Sequence, residues 1–404
     1  ETRTGKNEQA IVDSSSYPPS EPEGSTPPVS SKQTKFQEEQ MAYSPIGESK
    51  HDLDTPALLI DLDKLEKNIT TISDRCKTSG VDWRPHTKGH KSPVIAQKCI
   101  QAGAIGITCA KLGEAEVMAA AGIRDILIAN QVVGKQKVAR LVNVRRLSDV
   151  MVSVDDPAHL DEIGAAASKI GVNIRVMIEV NVGMNRSGVE PGDPVAALAK
   201  KAAKTKGVDF AGIMGYEGHA MGMPDDEKEA ECKRCAGLLT ESVTAVEDAG
   251  LTVPIVSAGG TGTLAYTPAL SGITEIQAGG GVMMDTYYAD RLGAKGLDQA
   301  LTVLATVVSH REPGRAVIDA GRKTVHGDYT LPEALDEGIE VVALNAEHGH
   351  LRLGPAARDL KIGDRVEMIS GYSDMTVFLH DVIYGIRDDR VEIVLDVAAR
   401  GRLA

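Results

Sequence analysis

The run RPHTKGHK, residues 84–91, puts three cationic side chains and two imidazoles directly after the apolar VDW segment. Lys88 falls at the end of the expected strand 81–88. A lysine at such an end, in a semi-enclosed mouth, loses hydration; its pKa falls and the amine becomes a nucleophile able to form a Schiff base with an aldehyde. A solvated strand-end lysine is the competing reading at this point. Other strand ends carry reactive types too. Arg186 lies in NRSG (185–188), and Tyr216 closes a later apolar run and is followed by EGH, which contains His219. Two glycine-rich runs, SAGGTGT (257–263) and QAGGGVMMD (277–285), close the series. Glycine lets backbone N–H groups approach an anion closely, and a Thr261 or Thr263 hydroxyl can assist. A strand-end lysine with two such turns suggests a cofactor that is both a phosphate and an aldehyde, pyridoxal 5′-phosphate.

These residues need a scaffold that gathers many strand ends. Strand patterns are expected at 81–88, 106–110, 125–130, 149–156, 174–181, 210–216, 254–260 and 275–280. Helical patterns such as GEAEVMAAAG and DPVAALAKKAAKT lie between many of them. Alternation of this kind implies parallel pairing, and eight units in this span predict a (β/α)8 barrel whose chemistry sits at the carboxyl ends of its strands. No G-x-G-x-x-G opens a helix after the first strand, which counts against a dinucleotide fold. The expected barrel spans 51–295. From 296 to 404 helical periodicity largely stops, and the β-rich pattern predicts a second, mostly antiparallel β domain. ALLIDL, ahead of the barrel, is a candidate strand of that second domain. Residues 1–50 are rich in Ser, Pro, Thr and Glu and predict a disordered tail with neither a secretory nor a transit signature.

The chain has 404 residues and a formal net charge of −13, which argues against a general nucleic-acid binder and leaves room only for a small, locally held phosphate. No apolar run reaches the ~18 residues of a membrane span. Five cysteines form no disulfide framework, so the cytoplasm is the expected compartment. Cys232 and Cys235 form a lone C-x-x-C inside a helical pattern, which does not make a zinc site by itself.

Taken together, DTPALLIDLDKLEKNI, RPHTKGHK, VGMNRSGV, GGTGT and EHGH, in this order across residues 52–402, resemble the alanine-racemase-like pyridoxal-phosphate enzymes. More narrowly they resemble the D-threonine aldolase, 3-hydroxyaspartate aldolase and D-serine dehydratase group. The resemblance implies a cofactor-bearing barrel, a β domain and a head-to-tail homodimer acting on a small amino acid. It implies that Lys88 is the Schiff-base lysine, that Arg186 lies near the cofactor ring and that Tyr216 lies against it. It also places Gly260, Thr261, Gly262, Gly279 and Gly280 at the phosphate. Gln277 falls where alanine racemases carry an arginine facing the pyridine nitrogen; a neutral amide counts against simple racemisation. The group typically supplies a metal-binding histidine and, two residues later, an aspartate or cysteine. Here Tyr372 and Asp374 take those positions, and the carboxylate leans towards Mg2+ or Mn2+. His348 and His350 are further ligand candidates. His219 is the candidate base, although the group's base histidine tends to fall where this chain has Gly222. The implied activity is cleavage of a β-hydroxy-D-amino acid to glycine and an aldehyde. Dehydration and racemisation on the same scaffold are alternatives, and a non-catalytic cofactor carrier is a remote one.

Overall fold

The computed structural model describes residues 44–404. Eight parallel strands form one sheet: β2 (Asp82–Trp83), β3 (Ile107–Cys109), β4 (Asp125–Gln131), β5 (Asp149–Val154), β6 (Ile174–Glu179), β7 (Val208–Met214), β8 (Ile255–Ala258) and β9 (Glu275–Ile276). The order β2-β9-β8-β7-β6-β5-β4-β3 closes on itself. A parallel bridge joins His86 to Thr108, flanked by Ile105 N–H donating to Trp83 and Thr87 N–H donating to Thr108. All eight expected strands are present, and they form the expected barrel.

Alternation along the strands sorts the side chains. Ile126, Val150, Val152, Val176 and Ile178 face outward into the large helix-covered core, whereas Leu127, Met151, Met177 and Met214 meet inside the barrel. Six helices follow β2 to β7: α2 (Pro93–Gln101), α3 (Leu112–Ala120), α4 (Lys135–Val144), α5 (Pro157–Ile170), α6 (Asp193–Lys204) and α7 (Asp225–Asp248). After β8 the run GGTGTLAYTPALSG forms only short 3-10 turns, because glycine, threonine and proline disfavour a continuous helix. Helix α1 (Leu62–Ser79), which precedes the barrel, packs against the turns after β8 and β9 in place of the missing helix.

The second sheet has nine strands. It contains β1 (Ala57–Asp61), β10 (Leu301–Glu312), β11 (Arg315–Ile318), β12 (Glu333–Ala334), β13 (Ile339–Leu344), β14 (Gly349–Leu353), β15 (Arg365–Ile369), β16 (Val382–Arg387) and β17 (Arg390–Asp396). Every pairing is antiparallel except β1 with β16. The ALLIDL segment is therefore a strand of this sheet, with Leu58 opposite Val303 and Leu59 opposite Tyr384. Residues 47–50, within the segment expected to be a tail, hydrogen bond instead to the β16–β17 hairpin: Gly47 N–H donates to Val391 and Lys50 N–H to Asp389. The remainder of that expected tail, residues 1–43, lies outside the described residues. A short helix, α8 (Ser373–Val377), follows β15.

Candidate active site

The cationic run after β2 separates into three environments. Arg84 points into the barrel, 1% exposed; its Nε donates to Glu275 at 2.7 Å and its Nη1 to Asp125 at 2.7 Å. Lys91 is buried with its Nζ 3.5 Å from Glu114 Oε2. His90 is buried, which drives its pKa down to about 3, so it stays neutral. Of the three cations only Lys88 reaches the barrel mouth, where it lines a cavity of about 350 Å3. Its Nζ is hydrogen bonded and ion-paired to Asp374 of α8. Burial alone would depress this ammonium, but Asp374, with Tyr288 and Tyr372, outweighs it and holds the pKa well above the ordinary lysine value. In this state Lys88 is a charged partner of Asp374, not a free amine.

The glycine turns line the same cavity through Gly259, Gly260, Thr261, Gly279 and Gly280. Among the described residues, the N–H groups of Thr261, Gly262, Gly279 and Gly280 find no acceptor. They are the first donors of two 3-10 turns, 261–263 and 280–282, which start beside one another. Thr261 Oγ1 accepts from Gly281 N–H at 2.8 Å and ties the two turns together. Glu217 braces the first turn from below: its buried carboxylate accepts from Thr263 and Thr267 hydroxyls at 2.9 and 2.6 Å and from Gly259 N–H at 3.2 Å. Of these, Thr261, Gly279 and Gly280 line the cavity and Gly262 does not; unpaired amides in one wall and a lysine on the same cavity fit a phosphorylated aldehyde, and pyridoxal 5′-phosphate is such a group. Gly279 has a second duty, since a Cβ there would lie 2.1 Å from the His86 carbonyl oxygen. It permits close packing of two strand ends as well as lining the cavity.

Arg186 and Tyr216 both line the cavity, the guanidinium 5.6 Å from the tyrosine ring centre. Arg186 also lies 3.7 Å from Glu179, which in turn accepts from Ser187 Oγ at 2.7 Å and Gln131 Nε2 at 2.6 Å. Gln277 is fixed from inside the barrel. Its Nε2 donates to Ser257 Oγ at 2.9 Å, and Ser257 donates to Glu275 at 2.7 Å. Glu275 is the carboxylate that Arg84 holds, so a single polar chain runs from the barrel interior to the cavity floor.

Other expected residues stand elsewhere. His219 does not line the cavity; its Nε2 lies 2.6 Å from Glu231 Oε1 of α7, and its Nδ1 is buried without a partner. Cys235 Sγ comes within 4.0 Å of His219 Nε2. These three ligand types cluster because α7 passes behind the 3-10 turn 218–220, but Arg234 already supplies the cation, its Nη2 2.5 Å from Glu231 Oε1. His350 belongs to β14 and His348 to the turn just before it, and neither lines the cavity; His350 Nε2 lies 2.6 Å from Asn345 Oδ1. Tyr372 does lie beside Asp374, its hydroxyl donating to Oδ2 at 3.1 Å.

The pair Tyr372 and Asp374 does not fit a divalent cation. Asp374 Oδ2 already holds the Lys88 ammonium, and the phenol spends its proton on the same oxygen. Burial, with the neighbouring Asp374 carboxylate, pushes the Tyr372 phenol well above its ordinary value, so it stays a neutral donor. Among the described residues, the cluster of three His, Cys, Asp or Glu ligand atoms is the one at His219, not at Asp374.

Sequence reasoning missed several wall residues. His86, inside the motif, lines the cavity, and burial followed by Lys88 and Lys91 drives its pKa well below the ordinary value. Tyr288 lines it as well, within a cage in which the rings of Tyr287, Tyr329 and His326 lie 5.3, 5.3 and 5.9 Å from that of Tyr372. The signal was the unusual density of tyrosine at 287, 288, 329 and 372 in a chain with only 9 tyrosines.

Comparison with known proteins bears on this arrangement. Residues 60–286 match the alanine racemase N-terminal domain family, and residues 300–386 match the putative serine dehydratase domain family. The chain is 35% identical to D-threonine aldolase of Arthrobacter sp over 353 residues, 86% of this chain and 93% of that protein. It is 35% identical to 3-hydroxy-D-aspartate aldolase of Paracoccus denitrificans (strain Pd 1222) over 369 residues, 88% of this chain and 94% of that protein. The crystal structure of D-threonine aldolase from Filomicrobium marinum superposes with a TM-score of 0.87 at 35% identity, covering 90% of this chain and 100% of that one.

Proposed function

The chain belongs to the alanine racemase N-terminal domain family and is a pyridoxal-phosphate-dependent lyase, and from that premise we propose that it cleaves a β-hydroxy-D-amino acid of the threonine or 3-hydroxyaspartate type into glycine and an aldehyde. The observation that carries this reading is the carboxylate of Asp374 on the amine of Lys88. It puts a proton acceptor beside the one amine placed to hold the cofactor. When bound, the cofactor supplies an electron sink joined to the substrate's α-carbon.

The chain's own residues do the rest. Lys88 would hold the cofactor through its amine, and as a free amine would be placed to move a proton at the substrate's α-carbon. The amides of Thr261, Gly262, Gly279 and Gly280 bind the phosphate, with Gly260 in the same turn. Gln277 meets the ring as a neutral amide held by Ser257. Arg186 and Tyr216 bound one side of the site, and Glu179 orients Arg186. His219 is tied to Glu231 and takes no part at the reacting atoms. The family resemblance supports a homodimer. Five free, buried cysteines fit a reducing compartment such as the cytoplasm. Among the described residues no helix is long and apolar enough to cross a membrane.

The deciding experiment incubates the cofactor-loaded protein with D-threonine and D-3-hydroxyaspartate. Aldehyde and glycine in equal amounts are expected. A 2-oxo acid with ammonia, or the mirror-image amino acid, would instead assign dehydration or racemisation.

A further inference from the structure

We propose that the substrate's β-hydroxyl is bound and deprotonated by the Tyr372–Asp374 pair itself, with no divalent cation at this position. The inference rests on the aldolase reading above and concerns how that reading is carried out.

The two oxygens of Asp374 stand in different surroundings. Oδ1 is buried without a partner and packs on Gly89, where a Cβ would lie only 2.8 Å away. A side chain at position 89 would crowd this oxygen. Oδ2 faces the cavity side, where it accepts from Lys88 Nζ and from the Tyr372 hydroxyl. Lys88 cannot stay on Oδ2 while its nitrogen is bonded to an aldehyde carbon and then exchanged for the substrate's amine. The displacement that loads the substrate thus frees one acceptor site on Oδ2. A β-hydroxyl, two bonds from the α-carbon that bears the displacing amine, is the group delivered beside it.

Tyr372 keeps its place through this exchange. Its ring is held in the cage by Tyr287, Tyr288, Tyr329 and His326. Its hydroxyl is the donor that remains on Oδ2 when the ammonium leaves, so the carboxylate is never stripped of every partner in a buried setting. A cation at this point would have to compete with Lys88 in one state and with a phenolic proton in both. In the bond-breaking step the hydroxyl proton passes to Asp374 Oδ2, the C–O bond becomes a carbonyl, and the Cα–Cβ pair goes to the α-carbon. A proton then enters at the α-carbon to give glycine, so atoms and charge balance with no oxidant or reductant.

The test uses the full-length cofactor-loaded protein, first desalted and then dialysed against EDTA. Three readouts apply: aldehyde release, metal content by elemental analysis, and Mn2+ titration by calorimetry. Retained aldehyde release after EDTA, substoichiometric metal and no saturable Mn2+ binding support the proposal. Stoichiometric Mn2+ binding that Asp374→Asn abolishes overturns it whatever the activity, as does aldehyde release that EDTA removes and Mn2+ or Mg2+ restores. Asp374→Asn should lower turnover by about 10^2–10^4-fold while keeping the bound-cofactor absorbance. Tyr372→Phe, which removes one hydrogen bond, should lower it by about tenfold. Tyr372→His puts an imidazole beside the carboxylate and should bind Mn2+ at least about tenfold more tightly than the parent. Equal stoichiometric binding by parent and variant overturns the proposal. Ammonia and 2-oxo acid in place of aldehyde would instead sink the aldolase reading, and calorimetry would still decide the metal question.

Discussion

Replacing Arg84 with Met should destabilise the protein sharply, and replacing Glu275 with Leu as well should recover much of the loss. Arg84 makes two charge-assisted hydrogen bonds inside the barrel, to Glu275 and Asp125, each at 2.7 Å. The two acceptors differ. Asp125 keeps Arg175, 2.8 Å away, and its side chain is 29% exposed, so it loses little. Glu275 is 2% exposed and would keep only the Ser257 hydroxyl. One uncompensated buried carboxylate costs about 3–5 kcal/mol. For a chain of this size that is about 4–6 °C in melting temperature. Arg84→Met with Glu275→Leu removes both charges, and what remains is a Ser257 hydroxyl that has lost its acceptor but still holds Gln277, a loss of at most about 1–3 kcal/mol. A double-mutant cycle by thermal and urea unfolding should therefore give a coupling of roughly 2 kcal/mol or more. Single-mutant losses that simply add, within about 0.5 kcal/mol, would refute the account. Ser257 would also be free to donate to Gln277 instead of accepting from it, so the bound-cofactor absorbance of the Glu275→Leu proteins should shift.

Borohydride reduction of the cofactor-loaded protein should label Lys88; Lys91→Met should lose stability, through the stranded Glu114, and still be labelled at Lys88, as peptide mapping will check. Thr261→Val removes the acceptor of Gly281 N–H and a hydroxyl beside the unpaired amides, and should weaken cofactor binding by about tenfold in fluorescence titration. Gly279→Val should lower the melting temperature as well as cofactor affinity, because its side chain would strike the His86 backbone; full stability would show that the β2 and β9 ends can separate. Asp285 is buried, and desolvation, with a smaller push from Asp374, raises its carboxyl to about 6. A carboxyl raised on folding stabilises most below its unfolded pKa and loses that contribution as pH rises through the folded value. The wild type should therefore lose about 3 kcal/mol relative to Asp285→Asn between pH 4 and pH 7 in urea unfolding, and a constant difference would refute the assignment.

Much of the barrel was legible because its outward residues are apolar at every second position and its helices carry their own periodicity. The eight strand segments needed no tertiary information. The β1 assignment was legible only as an apolar run without a barrel partner. The cavity wall was harder. Lys88 and the glycine turns announced themselves by type and place, but RPHTKGHK does not say which cation faces the mouth. Arg84 turned inward because Glu275 and Asp125, far apart in sequence, form a buried acidic pocket for it. His219 looked like a base from its spacing to Tyr216. It is held away by Glu231 on α7, a contact that no local pattern encodes. The tyrosine cage assembles from residues 287 to 372 and exists only after the second sheet has docked.

Strand β1 has a consequence for how the chain is made. β1 emerges from the ribosome early, yet its partners come late: Val303 opposite Leu58, and last of all the β16 residues Tyr384 and Gly385 opposite Leu59 and Ile60. At roughly 5–20 residues per second, ALLI waits on the order of tens of seconds for its sheet. Throughout that wait it is an apolar edge segment open to pairing with other chains. The barrel can close before β1 has a partner, so the most aggregation-prone interval of synthesis falls after Lys88 is already in place. A chain that stops short of β16 would carry an intact cofactor pocket and an unsatisfied strand.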